Sequence, residues 1–202
     1  SFPTRRSSDL SGLIEKRRRT GYVRECHGDL HLGNLALAGQ YTAQQRPALI
    51  ITHGLSGSGK SWHAARLVEQ LGAIRLRSDI ERKRLFGYAA DAATGSGVQS
   101  GIYTAAASVR TYEQLARLAR HGLDAGCRVL VDATFLKRAE RDRFRQLADQ
   151  AGVPFLILAC SAAPEVLRQR ILSRQASGGD PSEAGIDVLE AQLASLEPPA
   201  ED

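Results

Sequence analysis

The chain has 202 residues, 43% of them hydrophobic and 24% charged, with a formal net charge of +5. That is one ordinary domain plus a remainder with the balance of a globular protein, and no apolar run approaches the roughly 18 residues needed to span a bilayer. Eight of the 27 Lys/Arg and four of the 22 Asp/Glu fall within residues 1–47, so the rest is close to neutral and offers no basic face for nucleic acid.

The first ten residues, "SFPTRRSSDL", carry neither a helical nor a strand period. Their FPTRRSSDL portion looks like a translated sequencing-library adapter, and residues 1–10 are set aside as an assembly scar. Residues 11–20 suit a short basic helix with a solvated end, and 22–26 a strand leading into "HGDLHLGN" at 27–34. Residues 38–47, "AGQYTAQQRP", are polar and aperiodic and read as a linker.

From Ala48 the pattern becomes regular. "ALIITH" is a short, nearly continuous apolar run, as expected of a strand buried on both faces of a parallel sheet. A helix is expected over 60–71, a strand over 73–79 and a helix over 79–86, followed by the small-residue loop "YAADAATGSGVQSG". A long helix over 103–125 places Val109, Tyr112, Leu115, Ala116 and Ala119 at helical spacing, and Gly126 ends it before the strand "CRVLVDAT". A charged amphipathic helix over 137–151, a fourth strand "VPFLILAC", an arginine-bearing helix over 163–175, the break "ASGGDPS" and a last helix over 183–196 complete the chain. Strands alternating with helices predict an α/β fold, a three-layer parallel sheet with helices on both faces. Cys26, Cys127 and Cys160 are odd in number and widely spaced, and read as buried thiols of a cytoplasmic protein rather than as disulfides or metal ligands.

Gly54, Leu55, Ser56, Gly57, Ser58, Gly59, Lys60 and Ser61 satisfy G-x-x-x-x-G-K-[ST] at every fixed position, between an apolar strand and an amphipathic helix. The spacing has a chemical reason. Glycines let the main chain wrap phosphate oxygens, the turn presents its N–H groups with a helix N-terminus, Lys60 reaches the β- and γ-phosphates, and the Ser61 hydroxyl is placed to ligate Mg²⁺. Trp62 stands where many such loops carry a second hydroxyl residue, so a hydroxyl that could touch the α-phosphate is absent. The bound nucleotide is expected to be ATP with Mg²⁺.

A second metal-binding carboxylate is expected at the end of a neighbouring buried strand, where "VLVD" supplies Asp132, although such a residue could also cap the next helix. "LRSDIERKRLFG" puts Asp79 and Arg82 at the carboxyl edge of the sheet, where ligands of open α/β folds bind. Asp79 could accept the proton of an attacking hydroxyl and Arg82 could hold the acceptor; an N-cap and a solvated arginine are the plain alternatives. Among Arg168, Arg170 and Arg174, Arg174 beside the Gly-rich break is the preferred lid residue for neutralising the transferred group.

Together, "GLSGSGKS", "LRSDIERKRL", "VLVDATF" and "LRQRILSR" resemble the small P-loop kinases, including gluconate-kinase-like, zeta-toxin-like and polynucleotide-kinase-like enzymes. They are most similar to the AAA-family ATPase/kinase module of bacterial fused aminoglycoside-phosphotransferase/P-loop proteins. The resemblance covers residues 47–202 and implies ATP and Mg²⁺ binding with phosphoryl transfer. "CHGDLHLGN" in turn resembles the catalytic loop of aminoglycoside phosphotransferases and choline-kinase-like enzymes, which would make Asp29 a base and Asn34 a metal ligand. No Asp or Glu lies between Asp29 and Glu69, and only 26 residues precede His27, so residues 11–46 are expected to be a remnant of such a domain plus linker. Lys60 rather than Asp29 is then expected to govern turnover.

The expected function is transfer of the ATP γ-phosphoryl group to a hydroxyl of a small-molecule acceptor, with the missing phosphotransferase domain as a partner in cis. A nucleic-acid end kinase, opposed by the near-neutral charge, and a nucleotide-binding regulatory module with little turnover are the alternatives.

Overall fold

The computed structural model describes residues 46–90, 92, 101–177 and 184–199. The expectations on the adapter-like residues, the phosphotransferase remnant with Asp29 and Asn34, Cys26, the loop 94–100 and most of "ASGGDPS" therefore lie outside the described residues.

In chain order the elements are β1 (Leu49–His53), α1 (Lys60–Leu71), β2 (Ile74–Arg77), α2 (Ser78–Leu85), a 3-10 turn (Gly101–Tyr103), α3 (Ala105–Asp124), β3 (Val129–Asp132), α4 (Arg138–Ala151), β4 (Phe155–Ala159), α5 (Pro164–Ser177) and α6 (Ile186–Ser195). The four strands form one sheet in the order β2-β3-β1-β4. Every pairing is parallel, with Leu49 opposite both Val129 and Phe155. The two central strands are buried along their whole length, which is why "LIITH" and "VLVD" read as unbroken apolar runs.

Alternation along the strands distributes the core between the two faces. Leu49, Ile51, Val129 and Val131 point to one side, where Tyr112, Leu115, Ala119 and Leu123 of α3 and Phe144 and Ala148 of α4 cover them. Ile50 and Leu130 point to the other side, against Ala64 and Val68 of α1. Each buried Val, Leu, Ile or Phe among them contributes on the order of 1.5–3 kcal/mol by leaving water. The result is the expected three-layer α/β fold. A third cluster joins Leu55, Leu136, Leu167, Ile171 and Leu189, tying α5 and α6 to the carboxyl end of the sheet.

Two helix starts and one expected core residue differ from the sequence reading in ways that bear on the site. Helix α2 begins at Ser78, so Asp79 lies in a first helical turn with Glu81, where acidic groups complement the helix dipole, and not on the strand. Helix α3 begins two residues late because Thr104 caps it, its side chain accepting from the Ala107 N–H at 3.2 Å. Val109 is 56% exposed: at about 100° per residue it falls on the rim of the buried arc that Leu115 and Ala119 occupy. Among the described residues no helix is long and apolar enough to cross a membrane.

Candidate nucleotide site

Strand β1 delivers the chain into a turn of three glycines at positive φ, Gly54 (φ 142°), Gly57 (φ 83°) and Gly59 (φ 91°). Two of them have steric reasons. A Cβ on Gly54 would collide with the Cys160 carbonyl oxygen, and one on Gly57 would sit 2.8 Å from the Leu167 carbonyl oxygen. Only bare backbone lets the turn settle against the end of β4 and the start of α5. Gly59 is the N-cap of α1 and no side chain caps the helix, so the first amides of α1 and its positive dipole end open at the turn.

Lys60 is 9% exposed, and its Nζ donates to the Leu55 carbonyl at 2.7 Å. Burial pulls its pKa down, opposed by the attraction of Asp132 and then Asp79, with Arg174 pushing the same way as burial. Those charges act on one another only because the fold gathers them: Asp132, Asp79, Arg174 and the loop lysine share one neighbourhood. Ser58, also in the turn, has a buried Oγ without a hydrogen-bond partner. A buried hydroxyl of that kind calls for an explanation, and an oxyanion seated in the turn supplies one.

Asp132 ends β3 with a nearly buried carboxylate. Its Oδ2 accepts from Nη2 of Arg75 at 2.5 Å, and the Nε of Arg77 lies 4.0 Å away. The same Arg75 nitrogen donates to the Ser61 main-chain carbonyl at 3.0 Å, so one guanidinium spans the two residues expected to hold Mg²⁺. The Ser61 side chain is on an exposed residue at the helix start.

The strand end carrying Asp132 is fastened to β1. Thr52 Oγ1 donates to the Ala133 carbonyl at 2.6 Å and accepts from the Ala133 N–H at 3.0 Å. The Gly54 N–H donates to the Thr134 carbonyl at 3.1 Å. Phe135 holds the strained value φ 47°, fixed by its packing against Tyr112 and Phe144, by the Tyr112 hydroxyl on its N–H and by Arg141 on its carbonyl. His53 Nδ1 lies 3.0 Å from that carbonyl, and burial first, then Arg141 and Lys60, lowers its pKa.

Asp79 is half-buried in the first turn of α2 and faces Lys60 electrostatically. Arg82, one turn later, faces inward: Nη1 donates to the Ile102 carbonyl and to Ser108 Oγ, both at 3.1 Å, and the guanidinium stacks 5.0 Å over Tyr103. Arg82 is therefore not the solvated arginine of the plain alternative: its guanidinium braces the 3-10 turn and α3.

The three arginines of α5 diverge. Arg168 turns away to pair with Glu190 of α6 at 2.8 Å. Arg170 Nη1 donates to the Gly57 carbonyl at 3.2 Å, directly on the turn. Arg174 donates to the Ala184 carbonyl at 2.7 Å and is felt by Lys60. From α6, the Gln192 side-chain oxygen accepts the Ser56 N–H at 2.8 Å. Sequence reasoning missed Arg75, Thr52 and Gln192. The apolar strand with a polar position at Thr52 was a usable signal; Gln192, 136 positions from Ser56, had none.

Comparison with known proteins agrees with this geometry. The family model described as an AAA domain (AAA_33) matches residues 49–199. The uncharacterized protein Rv2004c of Mycobacterium tuberculosis (strain ATCC 25618 / H37Rv) is 30% identical over 161 residues, 80% of this chain and 32% of the relative. The chain thus spans about a third of the length of the curated relatives it matches. Among solved structures, the "putative kinase" from Chloroflexus aurantiacus j-10-fl shares 26% identity with a TM-score of 0.56, over 73% of this chain and 75% of its own. A gluconokinase from Sinorhizobium meliloti 1021, 23% identical with a TM-score of 0.52 over 78% of this chain and 80% of its own, shares the fold. With a P-loop of complete spacing at the carboxyl edge of a parallel sheet, and a family model spanning three-quarters of its length, the chain belongs to the AAA domain family.

Proposed function

We propose that the chain is an ATP-dependent kinase that moves the γ-phosphoryl group of Mg-ATP to a hydroxyl of a small molecule. The observation that carries this is the buried Lys60 at the mouth of the glycine turn, its Nζ on the Leu55 carbonyl and the charges of Asp132 and Asp79 acting on it. The residues present fit the nucleotide. The orphaned Ser58 hydroxyl and the uncapped amides of α1 supply donors for phosphate oxygens, and Lys60 supplies the cation. They fit Mg²⁺ as well: the Ser61 hydroxyl and the Asp132 carboxylate are hard oxygen donors, suited to an ion that keeps much of its water. When bound, the ion would neutralise charge on the β- and γ-oxygens.

The chain's own residues account for the remaining tasks. The Lys60 ammonium leaves the Leu55 carbonyl for the phosphate oxygens and draws off charge as the bond to the leaving oxygen lengthens. The Asp79 carboxylate takes the proton of the acceptor hydroxyl as that oxygen bonds to phosphorus. Arg174, and Arg170 from the turn itself, balance negative charge on the transferred group, a contribution worth on the order of 10³-fold or more in rate for a well-placed arginine. The similarity to proteins described as kinases supports the reaction class but not the acceptor.

Phosphorylation of a metabolite pool with γ-labelled ATP tests the assignment, with Lys60→Ala as control. Acceptor-dependent label in the wild type and none in the variant is the expected result; binding of Mg-ATP without transfer to any acceptor would instead favour a regulatory module. That second reading draws support from the grip of Arg75 on Asp132, which would hold metal loading back.

A further inference from the structure

Trp62 is the chain's single tryptophan. It stands in the first turn of α1, next to Ser61, and is 56% exposed, an unusual setting for the largest apolar side chain. Its main-chain N–H donates to the Gly59 carbonyl at 3.1 Å, which places the residue at the rim of the glycine turn. It is not disordered packing. The Arg66 guanidinium lies 3.9 Å from the ring centroid on one face, and the His63 ring meets it edge-on at 4.7 Å. His63 in turn flanks Gly59, as does Arg170: a Cβ built on that glycine would lie 3.7 Å from His63 Cδ2 and 3.7 Å from Arg170 Nη1. Arg66, Trp62, His63 and Arg170 thus form a continuous lip of cations and rings along one side of the turn.

Resting on the nucleotide function proposed here, we infer that the indole of Trp62 is a stacking platform for the nucleobase of the nucleotide whose phosphates occupy the turn. A residue immediately after the metal-ligating serine borders the α-phosphate end of the triphosphate, from which ribose and base extend outward. An indole offers any base a flat π-face, and a guanidinium on its far side makes a stacked pair of rings more favourable. The hydroxyl that commonly stands here would contact phosphate; the exchange for an indole moves recognition from phosphate to base. Because stacking is tolerant of base identity, the lip accepts a purine nucleotide without demanding a specific hydrogen-bonding edge.

The sole tryptophan makes the test direct. The full chain is titrated with Mg-ATP and with Mg-tripolyphosphate, which has the phosphates but no base, following intrinsic fluorescence and, separately, binding heat. Both compounds are expected to bind, but only Mg-ATP should change Trp62 emission saturably. Trp62→Ala should weaken Mg-ATP about tenfold while leaving tripolyphosphate unaffected, and Trp62→Phe should restore most of the loss. Equal emission changes with the two compounds, or unchanged Mg-ATP affinity in Trp62→Ala, would overturn the platform and leave the phosphate loop standing. If neither compound binds the wild type, the nucleotide function itself fails, and the platform with it.

Discussion

Arg75 of β2 reaches across to Asp132 of β3 and binds its carboxylate at 2.5 Å, while the same nitrogen holds the Ser61 carbonyl at 3.0 Å. A cation from the protein thus lies between the two residues expected to hold a cation from solution. The pairing follows from register: Arg77 is opposite Asp132, and Arg75, two residues back, projects from the same face.

Loading of Mg²⁺ should therefore compete with Arg75. Replacing Arg75 with Ala removes the short hydrogen bond to a nearly buried carboxylate and leaves it only the longer contact with Arg77, which costs on the order of 1–3 kcal/mol, and opens it to metal. The expected outcome is a lower Tm without metal, a larger rise in Tm on adding Mg²⁺ than in the wild type, and nucleotide binding saturating at several-fold lower Mg²⁺. An unchanged Mg²⁺ midpoint would show that Asp132 takes no part in holding the ion.

Arg82 separates a supporting role from a substrate-holding one. Removing its guanidinium orphans the Ile102 carbonyl and the Ser108 hydroxyl, so Arg82→Ala should lose about 1–3 kcal/mol of stability by denaturant titration. If support is its task, KM for the acceptor and Tm should fall out of line together, and Arg82→Lys should recover part of both. A large loss in acceptor affinity at unchanged stability would restore Arg82 to the binding face.

Sequence legibility divided along the distance between interacting residues. The glycine turn and the two central strands were readable because their signals are local: a fixed spacing in one case, an unbroken apolar run in the other. Asp132 was found because the carboxylate closes such a run. Arg75 and Arg77 were not, since "IRLR" looks like any edge strand until the order β2-β3-β1-β4 sets β2 beside β3. The bracing contacts of Arg82 were hidden for a similar reason: only the packing of α2 against the segment 101–108 turns its charge inward. The start of α3 was misplaced by two residues because Thr104, a capping residue, was read as helix interior.

Gly57 tests the packing of the turn itself. With φ at 83° and the Leu167 carbonyl 2.8 Å from where a methyl would go, Gly57→Ala combines a left-handed backbone cost of roughly 1–2 kcal/mol with a steric one. The variant should remain folded, because the clash is confined to the junction of turn and α5, but it should lose most nucleotide affinity as the turn shifts off α5. Calorimetry with Mg-ATP and a thermal melt, taken together, check this; full affinity in a stable variant would mean that the turn tolerates displacement.

Lys60 gives a pH signature. Burial outweighs the attraction of Asp132 and Asp79, so the amine loses its proton below the ordinary lysine value of 10.5. The charged amine is the form that binds phosphate, so Mg-nucleotide affinity should decline as pH rises through the lowered pKa, before pH 10.5 is reached. The sign for stability is opposite. Between the folded pKa and 10.5 the unfolded chain binds more protons, so Lys60 contributes a stability gain as pH rises through that window. Lys60→Arg keeps its charge throughout and should remove the alkaline decline, even though its geometry lowers turnover, while Lys60→Ala should cut turnover by about 10²–10³-fold where the wild-type amine is charged, as expected for losing one preorganised charge at the reacting group, with a deficit that narrows on the alkaline side. Isothermal titration from pH 7 to 10 in the wild type and in Lys60→Arg reads the difference; parallel profiles would mean that some other group sets the alkaline limb.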